Sequence, residues 1–214
     1  MESIAQKTAR VVKIIKRLKQ TYPDARLALD FSNPLELLIA LILAAQARDT
    51  RVNVVTTELF KKYRTAADWA DAPAATLQKE ISEITFFRNK TRSIQGACRM
   101  LVEKFGGVVP DNLEDLLTLP GVGRKTGNVL LGNAFGRLTI GVDRHVARVS
   151  GRLELTKETE PDLIEADLMK IAPEKDRVKL CLLFQDHGRQ ICVAKKPKCP
   201  ECPINSLCPY PKKL

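Results

Sequence analysis

The stretch Leu119-Pro-Gly-Val-Gly-Arg-Lys-Thr126 lies between two segments with helical periodicity, residues 112–117 and 124–135. Two known glycine motifs are excluded. Thr126 stands at the third glycine position of the dinucleotide-binding fingerprint, and a helix rather than a strand precedes the stretch. Arg124 stands where a P-loop has the glycine before its lysine. The stretch is therefore predicted to form a tight turn between two helices.

Two glycines in such a turn indicate close approach to a partner. Gly121 and Gly123 are expected to adopt positive φ and to leave room beside the backbone. Backbone amides of the turn and of the next helix then hold a phosphate without reading base sequence. An ordinary interhelical turn is the alternative. The residues expected to contact a phosphate-bearing partner here are Gly121, Val122, Gly123, Arg124 and Thr126.

Helical periodicity extends through the rest of the chain. No sustained alternation of apolar and polar residues and no hairpin signal indicates a β-strand, so the fold class is all-α with about ten helices. The predicted helices cover residues 4–18, 34–46, a segment after an N-cap at Asp49, 73–83, 89–106, 112–117, 124–135, 143–153, 161–171 and 175–188.

Composition limits the class of protein. The chain has 214 residues, 44% hydrophobic and 28% charged, which indicates a globular protein rather than a disordered one. Its net charge of +10 suits an acidic polymer, nucleic acid first, although many basic proteins bind none. The longest apolar stretch, residues 37–45, is too short for a membrane span, and the first residues lack a secretory apolar region. We therefore expect an intracellular protein.

Four of the six cysteines, Cys192, Cys199, Cys202 and Cys208, follow the spacing C-x6-C-x2-C-x5-C. Zinc sites with four cysteines usually show two short-spaced pairs, and only one pair here is short. The uneven spacing favours a [4Fe-4S] cluster, with zinc or disulfides as the alternatives. The remaining two cysteines lie on helical faces and are expected to be buried apolar residues.

Three lysines, Lys195, Lys196 and Lys198, lie between the first two cysteines of this group. Metal ligation at both ends fixes the shape of a loop before it meets a partner. The loop is therefore predicted to present these cations to phosphates. A solvated loop without a partner is the alternative.

Lys125 and Asp143 are the candidate catalytic residues. Lys125 falls in the first turn of a predicted helix, where the helix dipole, the neighbouring Arg124 and partial burial are all expected to favour its neutral amine. A neutral lysine amine can form a Schiff base with a sugar carbon, but a lysine here is more commonly a phosphate contact. Asp143 precedes the helical run 144–153 and is a candidate N-cap.

Three motifs together resemble the endonuclease III family, the bifunctional DNA glycosylases of the helix-hairpin-helix superfamily. They are the stretch 119–126, the run Val142-Asp-Arg-His-Val-Ala-Arg148, and His187-Gly followed by the cysteine pattern, in the order and at the separations typical of that family. The resemblance covers essentially the whole chain. It implies a two-lobed all-α fold with a DNA-binding cleft between a six-helix barrel at residues 27–137 and a [4Fe-4S] cluster domain at residues 1–26 and 138–214.

The resemblance implies base-excision repair of oxidised or ring-saturated pyrimidines, of the thymine glycol type, in double-stranded DNA. Lys125 would attack C1′ of a flipped nucleotide, release the base, form a Schiff base and cut the strand 3′ to the lesion by β-elimination. Asp143 would stabilise the developing positive charge and help to deprotonate the amine. The cluster would be structural. A monomer in the cytoplasm or nucleoid of a prokaryote-like cell is expected.

Further DNA contacts follow from the same resemblance. Gln46 would fill the gap left by the flipped base, and Phe86 would act as a second wedge in the base stack. A core aromatic is the alternative for Phe86, and the family has an aliphatic residue there. Other departures are Ala44 in place of serine and Ala47-Arg48 in place of Thr-Thr, which bear on lesion specificity. Arg144 and His145 are further candidate DNA contacts.

Two other functions remain open. An adenine-mismatch glycosylase would share the cysteine motif but normally lacks the nucleophilic lysine and has an additional C-terminal domain. A non-catalytic iron–sulfur DNA-binding module would need the glycine turn but neither Lys125 nor Asp143. The two histidines, His145 and His187, are expected mainly to pack and to form hydrogen bonds.

Overall fold

The structure of the protein, a computed structural model, describes residues 2–210. Within this range the structure is all-α, with no β-strand, and has three short 3-10 helices at Glu174–Asp176, Cys199–Glu201 and Asn205–Leu207. The α-helices are α1 (Ile4–Thr21), α2 (Pro34–Ala44), α3 (Asp49–Lys62), α4 (Ala66–Asp71), α5 (Ala74–Glu80), α6 (Phe87–Phe105), α7 (Leu113–Thr118), α8 (Arg124–Ala134), α9 (Arg144–Arg152), α10 (Pro161–Ile171) and α11 (Arg177–Gln190).

The chain forms two compact units, residues 27–136 and residues 1–26 with 137–214. The first unit contains α2 to α8 around the apolar helix α2, in which every residue from Leu37 to Leu43 is buried. Asn33 caps this helix by accepting a hydrogen bond from the Glu36 amide at 2.9 Å, and Pro34 occupies its first turn, where no amide donor is needed. The helix packs against α3, α6 and α8.

The second unit combines α1 with α9, α10 and α11 and with the cysteine-rich segment. Helix α11 packs against α9 and α1, and α1 packs against α10. Its core is built from aliphatic residues of these helices around Phe184. No described helix is both long and apolar enough to cross a membrane.

Local hydrogen bonding moves several helix boundaries from their predicted positions. Helix α2 ends at Ala44 rather than Gln46, because Gln46 has a left-handed backbone with φ 55°. Asp49 is the first residue of α3 and not its N-cap, which is Arg48. The predicted helix 73–83 covers only Ala74–Glu80, because the segment after it is a set of tight turns.

Helix α4 was missed by the sequence reasoning, so the unit 27–136 has seven helices where periodicity predicted six. The helix has six residues, too few to show a repeating apolar face. The sequence feature that could have predicted α4 is its capping box, in which the side chains of Thr65 and Asp68 each accept a hydrogen bond from the other residue's amide.

Candidate functional site

The glycine turn joins α7 to α8 as predicted, but its two glycines differ. Gly121 has φ +83°, and a Cβ added there would lie 2.8 Å from Cβ of Ser93 on α6. Gly123 is the N-cap of α8 with φ −99°, and a Cβ on it would have nothing within 4 Å. Positive φ was therefore predicted correctly for Gly121 and wrongly for Gly123. The first glycine permits the turn, and the second leaves open space in front of the helix.

The start of α8 supplies the donors for an anion. The first turn of an α-helix has amides without intrahelical acceptors, and these belong here to Arg124, Lys125 and Thr126. Arg124 is exposed and Thr126 is half-buried. Val122 differs from its neighbours, because its side chain is buried and its amide donates to the Leu119 carbonyl at 3.1 Å. Val122 therefore shapes the turn and offers no donor of its own.

Lys125 is the second residue of α8 and its side chain is exposed. The partial burial predicted for Lys125 is therefore wrong. Lys125 follows Arg124 in the first turn of α8, next to the helix N-terminus. The structure thus places an amine beside a row of backbone donors.

Gln46 and Phe86, the two predicted wedges, share an unusual backbone. Gln46 has φ 55° and Phe86 has φ 59°, in the left-handed region that residues with side chains rarely adopt. Both side chains are exposed, Phe86 to 56% of its surface, so the core alternative for Phe86 is wrong. The first follows the C-cap of α2, and the second is the N-cap of α6.

The residues around Gln46 that depart from the family pattern take structural positions. Ala44 ends α2, and both Ala44 and Ala47 pack against the core of residues 27–136. Arg48 is exposed and precedes α3 without capping it through its side chain.

Asp143 is the N-cap of α9, as predicted. Its Oδ1 accepts hydrogen bonds from the amides of His145 and Val146, both at 2.8 Å. The residue is half-buried and belongs to the unit of residues 1–26 and 137–214. These two backbone donors hold the carboxylate in one orientation.

Arg144 and His145 begin α9. Arg144 is exposed, whereas His145 is half-buried and its Nδ1 lies 3.1 Å from the Arg148 guanidinium. Burial lowers the pKa of His145, the nearby arginines lower it further, and Asp143 opposes them. A Cβ on Gly188 of α11 would lie 3.0 Å from His145, so this glycine allows close packing of the two helices. His145 therefore has the packing and hydrogen-bonding role expected of it.

The four clustered cysteines line one largely apolar cavity, together with Val149, Leu153 and Ile204. All six cysteines lie in the described range and none forms a disulfide, so the disulfide alternative is excluded. No group of three or more His, Cys, Asp or Glu within residues 2–210 is arranged to hold a single metal ion. Half-buried sulfur donors around one apolar cavity fit an iron–sulfur cluster, whose ligands are thiolates.

Electrostatics around these sulfurs favours a cationic centre between them. Burial and, to a smaller extent, the charges of the other three clustered cysteines together raise the pKa of Cys202 to about 11. Thiolates in such a place are stable when iron ions offset their charge. Two polar groups also approach the sulfurs: Arg152 donates to Sγ of Cys192 at 3.3 Å, and Nε2 of His187 lies 3.7 Å from Sγ of Cys202.

The other cysteines and the second histidine are packed in the interior. Burial raises the pKa of Cys98 to about 12 and makes its thiol unreactive, and Cys181 is buried in the same way. His187 is 2% exposed, its Nδ1 lies 3.1 Å from the Tyr22 hydroxyl, and burial lowers its pKa to about 4. These residues support the fold, as the sequence reasoning expected.

The loop between Cys192 and Cys199 carries its lysines outward. Lys195, Lys196 and Lys198 are all exposed, and Lys196 has φ 53°. A side chain of α9 holds the loop in place: Arg152 donates hydrogen bonds to the carbonyls of Val193 at 2.7 Å and Ala194 at 2.9 Å. Its cations therefore project from a braced backbone.

Sequence reasoning missed three residues that organise these sites. Arg148 and Arg152, one turn apart on α9, both donate to the Cys192 carbonyl, and Arg148 also donates to the Gly188 carbonyl at 2.8 Å. Their spacing on a helix was a usable signal, but their acceptors are backbone atoms that a sequence does not reveal. Lys90, the third, is buried and donates to the Leu43 carbonyl at 2.7 Å.

Two family models match the chain in the regions just described. Residues 39–174 match the HhH-GPD superfamily of base excision DNA repair proteins. Residues 192–208, which begin and end at the first and last of the four clustered cysteines, match the iron–sulfur binding domain of endonuclease III.

Similar proteins cover almost the whole chain. Endonuclease III of Synechocystis is 48% identical over 98% of this chain and 96% of its own length, and that of Bacillus subtilis is 41% identical over 91% and 89%. A solved structure of a trapped endonuclease III–DNA covalent intermediate aligns with a TM-score of 0.90 and 42% identity over 96% of this chain and 97% of that one. On this evidence the chain belongs to the endonuclease III family of helix-hairpin-helix base-excision repair proteins.

Proposed function

We propose that this protein removes oxidised or ring-saturated pyrimidines from duplex DNA and cuts the strand 3′ to the lesion, with Lys125 as nucleophile. As a member of the endonuclease III family, the protein binds DNA and is a DNA glycosylase with AP lyase activity. The observation that supports the residue assignment is an exposed lysine in the first turn of α8, directly after the Gly121 turn. We place the protein at the nucleoid, as a monomer acting on single lesions.

The chemistry begins with the Lys125 amine in its neutral form. Its nitrogen lone pair attacks C1′ of the flipped nucleotide, and the bond from C1′ to the base breaks with its electron pair leaving on the base. Nζ then loses a proton and the C1′–O4′ bond breaks, with its electron pair going to O4′, which takes up a proton. This opens the sugar ring and leaves a Schiff base between Nζ and C1′. Loss of a C2′ proton then expels the 3′ phosphate by β-elimination.

Asp143 supports these steps with charge. Because both backbone donors bind Oδ1, Oδ2 is the oxygen available to accept the ammonium proton or to face the positive charge that develops at C1′. The N-cap geometry keeps this oxygen oriented without reorganisation during the reaction.

DNA binding is assigned to the hairpin, the two wedges, the start of α9 and the lysine loop. The helix N-terminus at Gly123 and the exposed Arg124 would hold a phosphate. Gln46 and Phe86 would enter the base stack, Arg144 and His145 would lie near the backbone, and Lys195, Lys196 and Lys198 would neutralise phosphates.

The chain carries a [4Fe-4S] cluster in its iron–sulfur domain. We propose Cys192, Cys199, Cys202 and Cys208 as the four ligands. When bound, the cluster supplies structural cross-links between the ligands, and no step of the reaction above involves it.

Borohydride trapping tests the proposal. Wild-type protein should form a covalent adduct with a duplex containing thymine glycol or an abasic site, because borohydride reduces the Schiff base to a stable amine. Lys125→Ala should form none, whereas Lys104→Ala, which removes another exposed lysine of the same unit, should trap as wild type does. A wild-type protein that excises bases and never traps would instead act like the adenine-mismatch glycosylases. A protein that does neither would be a binding module.

Lesion preference needs a separate measurement. A panel of duplexes with different oxidised pyrimidines, assayed under single-turnover conditions, ranks the substrates. Equal rates on damaged and undamaged pyrimidines would contradict the assignment.

A further inference from the structure

Lys90 combines burial with a charge. The residue is 5% exposed, lies in the first turn of α6 and follows Phe86 by four positions. Its Nζ donates a hydrogen bond of 2.7 Å to the carbonyl of Leu43, near the C-terminal end of α2. The last carbonyls of a helix lack intrahelical donors and carry partial negative charge, so a cation is well placed there.

The same residue is also bonded to the Phe86 turn. The Lys90 amide donates to the Phe86 carbonyl at 3.1 Å, which closes the first turn of α6. Gln46 follows Leu43 by three residues. One lysine therefore links the two segments whose tips have left-handed backbones and exposed side chains.

This link has an energetic cost. Burial lowers the pKa of Lys90 to about 8, because the charged form loses its hydration. Leu43 is fully buried, so water does not reach its carbonyl, and Lys90 supplies the donor that this oxygen would otherwise lack. A leucine or methionine would fill the same space without removing a charge from water. The lysine therefore adds a defined position for the end of α2 relative to the start of α6.

The separation of Gln46 and Phe86 is important for the proposed function, because two side chains can enter one base stack together only at a set distance from each other. A displacement of about 1 Å in a catalytic arrangement can reduce the rate by about 100-fold. The rest of α6 is held tightly in the same unit, since Ser93 lies against Gly121 and Gly96 lies against Pro120. The Gln46 turn is joined to this frame through the Lys90–Leu43 hydrogen bond.

We propose that Lys90 is a positioning residue for lesion extrusion, which holds the Gln46 turn at a set distance from the Phe86 turn so that both side chains enter the duplex together. The proposal rests on the proposed function and adds to it a residue that touches neither DNA nor the reacting atoms. Lys90 acts through Gln46, and this dependence is the property to test.

The test compares Lys90→Met with Lys104→Met, which removes the same charge from an exposed site on the same helix. The probe is a duplex with a stable abasic analogue opposite 2-aminopurine, whose fluorescence reports contact with the unpaired base. Lys90→Met should lose most of the fluorescence change and excise thymine glycol about tenfold more slowly. Trapping at a preformed abasic site should stay within about threefold of wild type, because the Lys125 amine is unaffected. Lys104→Met should match wild type throughout.

A double-mutant cycle with Gln46→Ala separates positioning from general loss of structure. If Lys90 acts through Gln46, Lys90→Met should slow excision about tenfold in the wild-type background and less than about twofold in the Gln46→Ala background. A general defect would slow both backgrounds by the same factor. Equal factors would overturn the proposal.

Helical circular dichroism and the visible absorbance of the cluster establish that each variant is folded. If Lys90→Met does not fold, Lys90→Gln takes its place, because its side chain is one bond shorter and no longer reaches the Leu43 carbonyl. An unchanged fluorescence amplitude in the folded variant would overturn the positioning role. Absence of trapping by the wild type would instead overturn the proposed function, so the two failures are distinguishable.

Discussion

Gln46 and Phe86 show how single residues mark a site through their backbone. For a residue with a Cβ the left-handed conformation costs about 1–2 kcal/mol relative to the right-handed one. Gln46 lies just past the C-cap of α2, where helices usually place glycine, and Phe86 takes an N-cap position that usually has extended backbone. Such strain is concentrated at functional sites, and here it coincides with the two residues assigned to the base stack.

Asp143 allows its capping role and its charge to be separated by substitution. Asp143→Asn keeps an oxygen for the amides of His145 and Val146, so the fold and DNA binding should be nearly unchanged. Loss of the carboxylate should slow single-turnover excision by about 10²–10⁴-fold. Asp143→Ala is the matched variant and should also lose about 0.5–2 kcal/mol of stability with the cap. Excision by Asp143→Asn at the wild-type rate would remove the carboxylate from the mechanism.

The buried Lys90 predicts a pH dependence of stability. Its pKa is lowered from 10.5 to about 8 in the folded protein, so between these values the unfolded chain binds a proton that the folded protein does not. The contribution of Lys90 to the free energy of unfolding is therefore largest above about pH 10.5. It decreases as the pH falls from 10.5 and is fully lost once the pH has fallen through about 8.

Melting temperatures of wild type and Lys90→Met across this range measure the effect. The melting temperature of wild type should rise relative to that of Lys90→Met as the pH increases from 8 to 10. The difference between wild type and Lys104→Met should not change with pH. A difference between wild type and Lys90→Met that stays constant with pH would contradict the burial of a titrating amine.

At the scale of elements, α6 and the glycine turn form one frame. The turn lies against α6 where Gly121 meets Ser93, and its other end opens at Gly123. A substitution at Gly121 is therefore expected to act on stability, and a substitution at Gly123 is expected to act mainly on DNA binding.

Gly121→Ala should destabilise the protein by about 1 kcal/mol or more, because its φ is positive and its Cβ would lie 2.8 Å from Ser93. Gly123→Val should cost at most about 1 kcal/mol of stability, because valine is a poorer N-cap than glycine but its Cβ meets no neighbour. It should weaken binding to all duplexes alike, because its side chain would project into the space proposed for a phosphate. Fluorescence anisotropy with duplexes of different sequence measures this loss. A loss restricted to certain sequences would contradict a phosphate contact.

Helix α9 has a comparable role in the other unit. Its N-terminus orients Asp143, and its later turns carry Arg148 and Arg152 to the carbonyls around Cys192. One short helix thus connects a candidate catalytic carboxylate with the backbone of the cysteine loop.

At the scale of the whole molecule, the positive net charge and the placement of exposed cations both bear on DNA binding. The net charge of +10 favours binding to nucleic acid, and the exposed Arg124 and the lysines of the 192–199 loop are proposed to bring part of that charge to backbone phosphates. Electrostatic binding of this kind releases counterions, so affinity falls as salt rises.

The lysine loop gives this effect a specific test. Removing one phosphate contact with Lys196→Ala should lower the slope of log Kd against log salt concentration by about 1. Lys104→Ala should leave the slope unchanged. Binding titrations at several salt concentrations measure both, and equal slopes for Lys196→Ala and wild type would exclude the loop from the interface.

Local patterns in the sequence determined much of this protein. Periodicity predicted most helices, glycine and aspartate placed the turn at 119–126 and the cap at Asp143, and cysteine spacing predicted the iron–sulfur region, because each depends on neighbours within a few residues. The ordinary φ of Gly123, the left-handed turns at Gln46 and Phe86, and the bond from Lys90 to Leu43 were decided by tertiary structure. Lys90 and its acceptor are 47 residues apart in the chain, and only packing of α6 against α2 brings them together.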